Sequence, residues 1–187
     1  MIKTSYSPAA GTAYIIFDNV KVPVENLLGV ENKGFEIIMS NFNHERWMIV
    51  CCIMGVMRTI VDQCFRWTHQ REAFGKKLIS QPVIRNKLAH MVAQMEAVDS
   101  WLDNITFQMT QMNDKQQYKY LGGPIALLKL QATRTACFVS DQACQIFGGR
   151  AITRTGMGMY VERFQKSFKF VSIYGGSEEI MADLGIK

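Results

Sequence analysis

The stretch NFNHERWMIV, residues 41–50, sets a carboxylate, Glu45, beside a guanidinium, Arg46, directly before a long apolar run. A carboxylate so placed is a candidate proton acceptor. On pattern alone it is also a helix-start acid, favoured by the macrodipole and paired with Arg46. The stretch IYGGSEEI, residues 173–180, raises a similar question near the other end, with two glycines, a serine and two carboxylates in a row. Other chemistries find no support. His44, His69 and His90 are too scattered for a metal site, no paired Glu-x-x-His repeat is present, and neither G-x-G-x-x-G nor a P-loop occurs.

The elements that position these residues follow from composition and period. The chain has 187 residues, 48% of them apolar, enough to bury one core. Its net charge is +5 and its pI about 9.0, but the basic residues are dispersed and form no aromatic-lysine stripe, so no nucleic-acid partner is expected. Five cysteines, Cys51, Cys52, Cys64, Cys137 and Cys144, are odd in number and lack a C-x-x-C. They read as reduced core residues of an intracellular protein. No signal or transit peptide is visible, and no apolar run reads as long and charge-free enough to span a bilayer, so a soluble chain with no membrane partner is expected.

In TAYIIFDNVKVPVENLLG, residues 12–29, β-branched and aromatic residues among turn formers predict one or two strands and a loop. An isolated strand pair is barely stable, so its sheet partners are expected elsewhere and the chain reads as a fragment. From Gly34 the period becomes helical. Phe35–Phe42 is predicted as a short helix, with Asn43 as N-cap of a longer one from His44 to about Arg71. Ile84, Leu88, Met91, Met95, Val98, Leu102, Ile105, Met109 and Met112 then alternate steps of four and three, with Pro82 near the start. NDKQQYKYLGG, residues 113–123, is predicted as a polar connection. A third helix carries Ile125, Leu128, Ala132, Ala136, Val139, Ala143 and Ile146 and stops at Gly148 and Gly149, and less regular helical turns fill Met157–Lys187. The sum is an all-α fold, an antiparallel four-helix bundle with a short N-terminal β remnant, in which methionine and aromatic stripes are core.

Five separated words, FDNVKVPVENLLG (17–29), REAFGK (71–76), Gln81, QIFGG (145–149) and IYGGSEE (173–179), resemble the acyl-CoA dehydrogenases in order and spacing over almost the whole chain. The resemblance makes residues 1–30 the tail of that family's middle β-domain plus a linker, and residues 31–187 its C-terminal four-helix-bundle domain. The HER motif and IYGG are similar to long-chain and isovaleryl-type members. Together with SPAAGTAY (7–14) they also resemble fungal-type relatives, some fused to a cytochrome b5-like domain.

The resemblance implies oxidation of an acyl-CoA thioester to the trans-2-enoyl-CoA, a carboxylate removing the α-proton while the β-hydrogen leaves as hydride to FAD. Most members carry that glutamate directly after the tyrosine of the last signature, where this chain has Gly175; long-chain and isovaleryl types carry it where this chain has Glu45. Glu45 is thereby implied as the base, with Asn43, His44, Arg46, Gly175 and Gly176 completing the acyl-CoA site and the Gly175 N–H polarising the thioester carbonyl. A helix start and Arg46 would both favour the ionised carboxylate. Arg71 is implied to reach the flavin pyrophosphate of a neighbouring subunit. Gln81, Gln145, Ile146, Phe147, Gly148 and Gly149 are implied along the adenosine half, and Ser177, Glu178 and Glu179 at the next flavin contact. Ser177 stands where threonine is usual, and Ala151 where a glycine is common. A homodimer or homotetramer, an electron-transferring flavoprotein or another acceptor, and a mitochondrial matrix location come with the family; a metal does not. The resemblance further implies that the chain alone, without the domains that precede it, is inactive. Two alternatives stand beside the dehydrogenase reading: a helical scaffold without redox activity, which Gly175 alone favours, and an acyl-CoA oxidase.

Overall fold

No proline interrupts residues 34–70, and the apolar positions Ile49, Val50, Ile53, Met57, Ile60, Val61 and Cys64 keep one face throughout. In the computed structural model, which describes residues 1–4 and 11–187, they form one continuous 37-residue helix, α1 (Gly34–Gln70). The expected break at Asn43 does not occur. Asn43 lies well inside α1, and its Oδ1 accepts from Arg46 Nη1 at 3.5 Å instead of capping a helix start. α1 is also long and apolar enough to cross a membrane, contrary to the expectation from sequence, yet its apolar face lies in the bundle core.

After α1 the chain turns through a two-residue hairpin, β1 (Glu72–Ala73) against β2 (Lys76–Lys77), with Phe74 and Gly75 at φ +54° and +72°. A 3₁₀ turn leads into α2 (Pro82–Gln111), whose first residue is the proline that needs no N–H there. α3 (Asp114–Phe147) starts earlier than its apolar period, because Asn113 and Gln116 form a reciprocal cap, each side chain bonded to the other's backbone N–H at 3.0 Å. The predicted polar connection is therefore the opening of α3, and Gly122, Gly123 and Pro124 lie within the helix. α3 ends where predicted, on Gly148 at φ +58°. α4 (Gly158–Ile173) and α5 (Glu178–Ile186) complete the chain.

α3 is the axis of the assembly and packs on each of the other four helices. Its small residues Ala132, Ala136 and Ala143 admit Met57, Met91 and Val161 into a core that also holds Ile105, Leu128 and Phe164. The all-α bundle is thus present, with α5 as an additional short helix. Cys64 sits in this core, where burial, with Cys144 adding to it, pushes its thiol up to about 12; Cys52 and Cys137 are exposed rather than buried.

Residues 12–29 form no paired strand among the described residues. A single 3₁₀ turn (Val24–Asn26) follows Pro23, and Tyr14, Ile15, Ile16 and Phe17 are exposed. A strand needs a partner for its backbone groups, and no other segment among the described residues pairs with it as a strand. Residues 7–10 of the SPAAGTAY word lie outside the described residues.

Candidate active site

Between α4 and α5 the backbone reverses through Gly175 and Gly176, at φ +70° and +118°. Both conformations favour glycine; a Cβ on Gly175 would stand 2.7 Å from Ile49 Cδ1, and one on Gly176 2.4 Å from Met181 Cε, so those side-chain ends would have to shift. Two buried cations hold this turn. Arg46 Nε on α1 donates to the Gly175 carbonyl at 2.9 Å, and Lys129 Nζ on α3 donates to the Gly176 carbonyl at 2.7 Å. Arg46 is 6% exposed and Lys129 only 1%. Burial, and then the Arg46 charge, draw the Lys129 ammonium down from 10.5 to about 8, with Glu178 and Glu45 opposing. The Arg46 guanidinium is likewise lowered by burial, against the pull of Glu45.

The half-buried Glu45 therefore acts electrostatically on both cations. Its expected setting needs correction. Glu45 is not at a helix start but about three turns into α1, beyond the reach of the N-terminal macrodipole, so the local positive field comes from side chains. Asn43 joins the group through Arg46. His44 does not: it is exposed, its ring centroid 5.3 Å from that of Trp47. Trp47 in turn donates to Thr106 Oγ1 at 2.9 Å, fixing this part of α1 on α2.

On the far side of the turn, Ser177 precedes the first residue of α5. The exposed Glu179 carboxyl is lowered by its own backbone N–H and then by the Ser177 hydroxyl. Glu178 is buried and forms an ion pair with Arg134 Nε at 2.9 Å, which ties that carboxylate into the fold. Arg134 and Lys129 were not singled out from the sequence. The signal for Lys129 was there, a lone charge inside the apolar stripe of ALLKLQAT, one turn from both Ile125 and Thr133.

The remaining predicted residues gather at the other end of the bundle. A hollow of about 390 Å³ is lined by Trp67, Arg71, Phe147, Gly149 and Arg150. Trp67 stacks on Phe147, centroids 5.2 Å apart and planes 12° from parallel, and its buried indole N–H has no hydrogen-bond partner. Arg71 is exposed and is not taken by Glu72, which pairs instead with Lys77 at 2.6 Å. Two guanidinium-bearing side chains, an orphaned donor, a left-handed Gly148 and no carboxylate among the lining residues suit a polyanion with a flat aromatic part, as the pyrophosphate and adenine of FAD would be. Gln145 is exposed on the last turn of α3, Ile146 is buried in the core, and Gln81 caps α2, its carbonyl accepting from Ile84 and Arg85 at 3.1 and 3.2 Å; none of the three lines the hollow. At ~1.5 Å per residue, Glu45 and Arg71 stand ~39 Å apart along α1, and Lys129 and Phe147 ~27 Å apart along α3. The two groups are separate places.

Comparison with known proteins bears on the family and the fold. Residues 32–187 match the model of the acyl-CoA dehydrogenase C-terminal domain. Acyl-CoA dehydrogenase apdG of Emericella nidulans is 36% identical over the whole chain, and acyl-CoA dehydrogenase AFT10-1 of Alternaria alternata 38% identical over 99% of it. The chain spans only 42% and 43% of the lengths of those two relatives. The solved structure of butyryl-CoA dehydrogenase from Megasphaera elsdenii superposes with a TM-score of 0.80 at 30% identity, over 91% of this chain and 42% of that one. With that bundle, that match and those relatives in agreement, the chain belongs to the acyl-CoA dehydrogenase family, of which it carries the C-terminal domain.

Proposed function

We propose that the protein containing this domain is an FAD-dependent acyl-CoA dehydrogenase in which Glu45 is the base. The observation that carries the reading is the 2.9 Å bond from Arg46 Nε to the Gly175 carbonyl, which draws the Glu45 neighbourhood of α1 against the turn that lacks a carboxylate of its own. Glu45 takes the α-proton of a bound acyl-CoA, and the N–H side of the Gly175–Gly176 turn meets the thioester carbonyl as negative charge gathers there. Bound FAD would supply the acceptor for the β-hydrogen as hydride, giving the trans-2-enoyl-CoA. Arg71 and Arg150, with the Trp67 indole N–H and the Gly148–Gly149 backbone, would hold the pyrophosphate and adenosine portions. Because the Arg71 hollow lies too far from Glu45 for one dinucleotide to reach both, that FAD belongs to a neighbouring subunit of a homodimer or homotetramer. Electrons would pass on to an electron-transferring flavoprotein or another acceptor, and a mitochondrial matrix location accords with the reading. The chain alone, lacking the remainder of the length found in its relatives, would not turn over acyl-CoA.

The test is Glu45→Gln in the full-length protein, with flavin bleaching by acyl-CoA followed anaerobically in a single turnover so that the acceptor plays no part. The variant is expected to reduce flavin ~10²–10⁴-fold more slowly while keeping FAD and binding acyl-CoA. Reduction at the unmodified rate would remove Glu45 as base and favour the scaffold reading if the wild type is equally inert. Reoxidation of the reduced flavin by oxygen separates an oxidase from a dehydrogenase.

A further inference from the structure

We propose that Lys129 is a positioning residue of this site: its buried ammonium, together with Arg46, clamps the two successive glycine carbonyls and so fixes the direction in which the N–H groups of the turn face the substrate. The proposal rests on the dehydrogenase reading above and extends it to a residue that reading does not use.

The geometry is specific. The carbonyl and N–H of a trans peptide point in opposite directions, so seating the Gly175 carbonyl on Arg46 turns the Gly176 N–H away from α1, and seating the Gly176 carbonyl on Lys129 turns the Ser177 N–H away from α3. Two glycines at positive φ have wide conformational freedom, and the two cations remove it. No backbone carbonyl among the described residues accepts from the Gly176 or Ser177 N–H, the two that these peptides carry. Packing gives no reason for a lysine here. Its neighbours on the buried face of α3 are Ile125, Leu128 and Ala132, and an apolar side chain of similar volume avoids the desolvation of a charge. Nor is it the partner of a dedicated carboxylate. Of the charged groups around it, Arg46 on α1 repels it, Glu178 on α5 is already paired with Arg134, and Glu45 on α1 is the base itself. What Lys129 does hold is the turn.

The clamp is therefore sensitive to pH. Burial brings the Lys129 ammonium to about 8, so alkaline solution removes its proton within the folded protein. The neutral amine still carries N–H groups, but a charge-assisted bond is roughly twice as strong as a neutral one, and the carbonyl is held less firmly.

The experiment uses the full-length holoprotein and anaerobic flavin bleaching with butyryl-, octanoyl-, palmitoyl- and isovaleryl-CoA, the fastest of them then followed from about pH 7 to about pH 9.5. The wild type should lose rate on the alkaline side with a midpoint near 8. Lys129→Met should slow reduction by roughly 10–100-fold, leave the acyl-CoA dissociation constant within about twofold, and show no alkaline limb. Lys129→Gln keeps a donor that does not titrate; it should recover part of the rate and likewise lack the limb. A flat wild-type profile, wild-type reduction by Lys129→Met, or an alkaline limb retained in either variant would each overturn the clamp. Should Lys129→Met fail to fold, the wild-type and Lys129→Gln profiles decide alone. The two proposals separate cleanly: an unslowed Glu45→Gln beside a slowed, limb-free Lys129→Met removes the base and keeps the clamp, and the converse removes only the clamp.

Discussion

At the Glu45 end of the bundle four side-chain donors are held from within the chain: Arg46 and Lys129 on the glycine carbonyls, Trp47 on Thr106, Arg134 on Glu178. At the Arg71 end the reverse holds. The indole N–H of Trp67 is buried with no partner, Arg71 and Arg150 are exposed, and Phe74 stands 96% exposed at a hairpin tip in a left-handed conformation. A site completed by its own fold is poised to act on what enters it, and a site with unused donors and bare apolar surface is shaped for something that must arrive to complete it. The same helix, α1, supplies both.

The comparison breaks most decisively at Arg46. Arg46→Met removes one carbonyl anchor and the cation beside Glu45 together, and flavin reduction is expected to fall by at least ~100-fold with flavin content unchanged, read by single-turnover bleaching against the absorbance ratio of the purified protein. A comparable loss of flavin instead would place Arg46 with the other end. A second contrast is electrostatic. The Lys129 ammonium is held near 8 in the folded protein against ~10.4 when unfolded, so between those values the unfolded chain binds the extra proton and folding stability rises with pH. Denaturation of wild type and Lys129→Met should show this as a difference that moves in favour of the wild type from about pH 8 to about pH 10, by on the order of 2 kcal/mol. Parallel curves would mean that Lys129 stays charged. The smallest effect is expected at the open end. Arg71→Met should weaken flavin retention by roughly tenfold, the worth of one charged hydrogen bond, while enzyme reloaded with FAD reduces at the wild-type rate. A slowed reduction in the loaded variant would erase the distinction between the ends.

Much of this was readable before the structure, and the failures have physical causes. α2 was legible because Leu88, Met91, Met95, Val98, Leu102 and Ile105 alternate without interruption, and all six are buried. The junction in α1 was misplaced because Asn43 before an apolar run has the look of a cap; with no proline or left-handed residue to stop the preceding turns, the helix simply continues. The start of α3 was missed because period-counting registers apolar residues, whereas that start is made by Asn113 and Gln116 bonding each other's backbone. Arg46 and the double glycine, which the structure joins by a hydrogen bond, were both among the residues the motifs singled out. Lys129 escaped because a period counted on apolar residues alone passes over a charge lying in the same stripe. Nor do the sequence words alone tell how the FAD-assigned residues divide, since Glu178 proves to be a buried partner of Arg134 while Phe147 and Gly149 line the hollow.

The unbroken run of α1 also restricts how this segment can change over generations. Each residue of a helix turns the chain by ~100° and advances it ~1.5 Å, so one codon inserted or deleted between Arg46 and Trp67 would swing the carboxylate end out of register with the arginine end by more than a quarter turn. Loops absorb changes of length by bulging, but a rod packed along its whole buried face cannot. Between those residues the gene can change its letters, not their number.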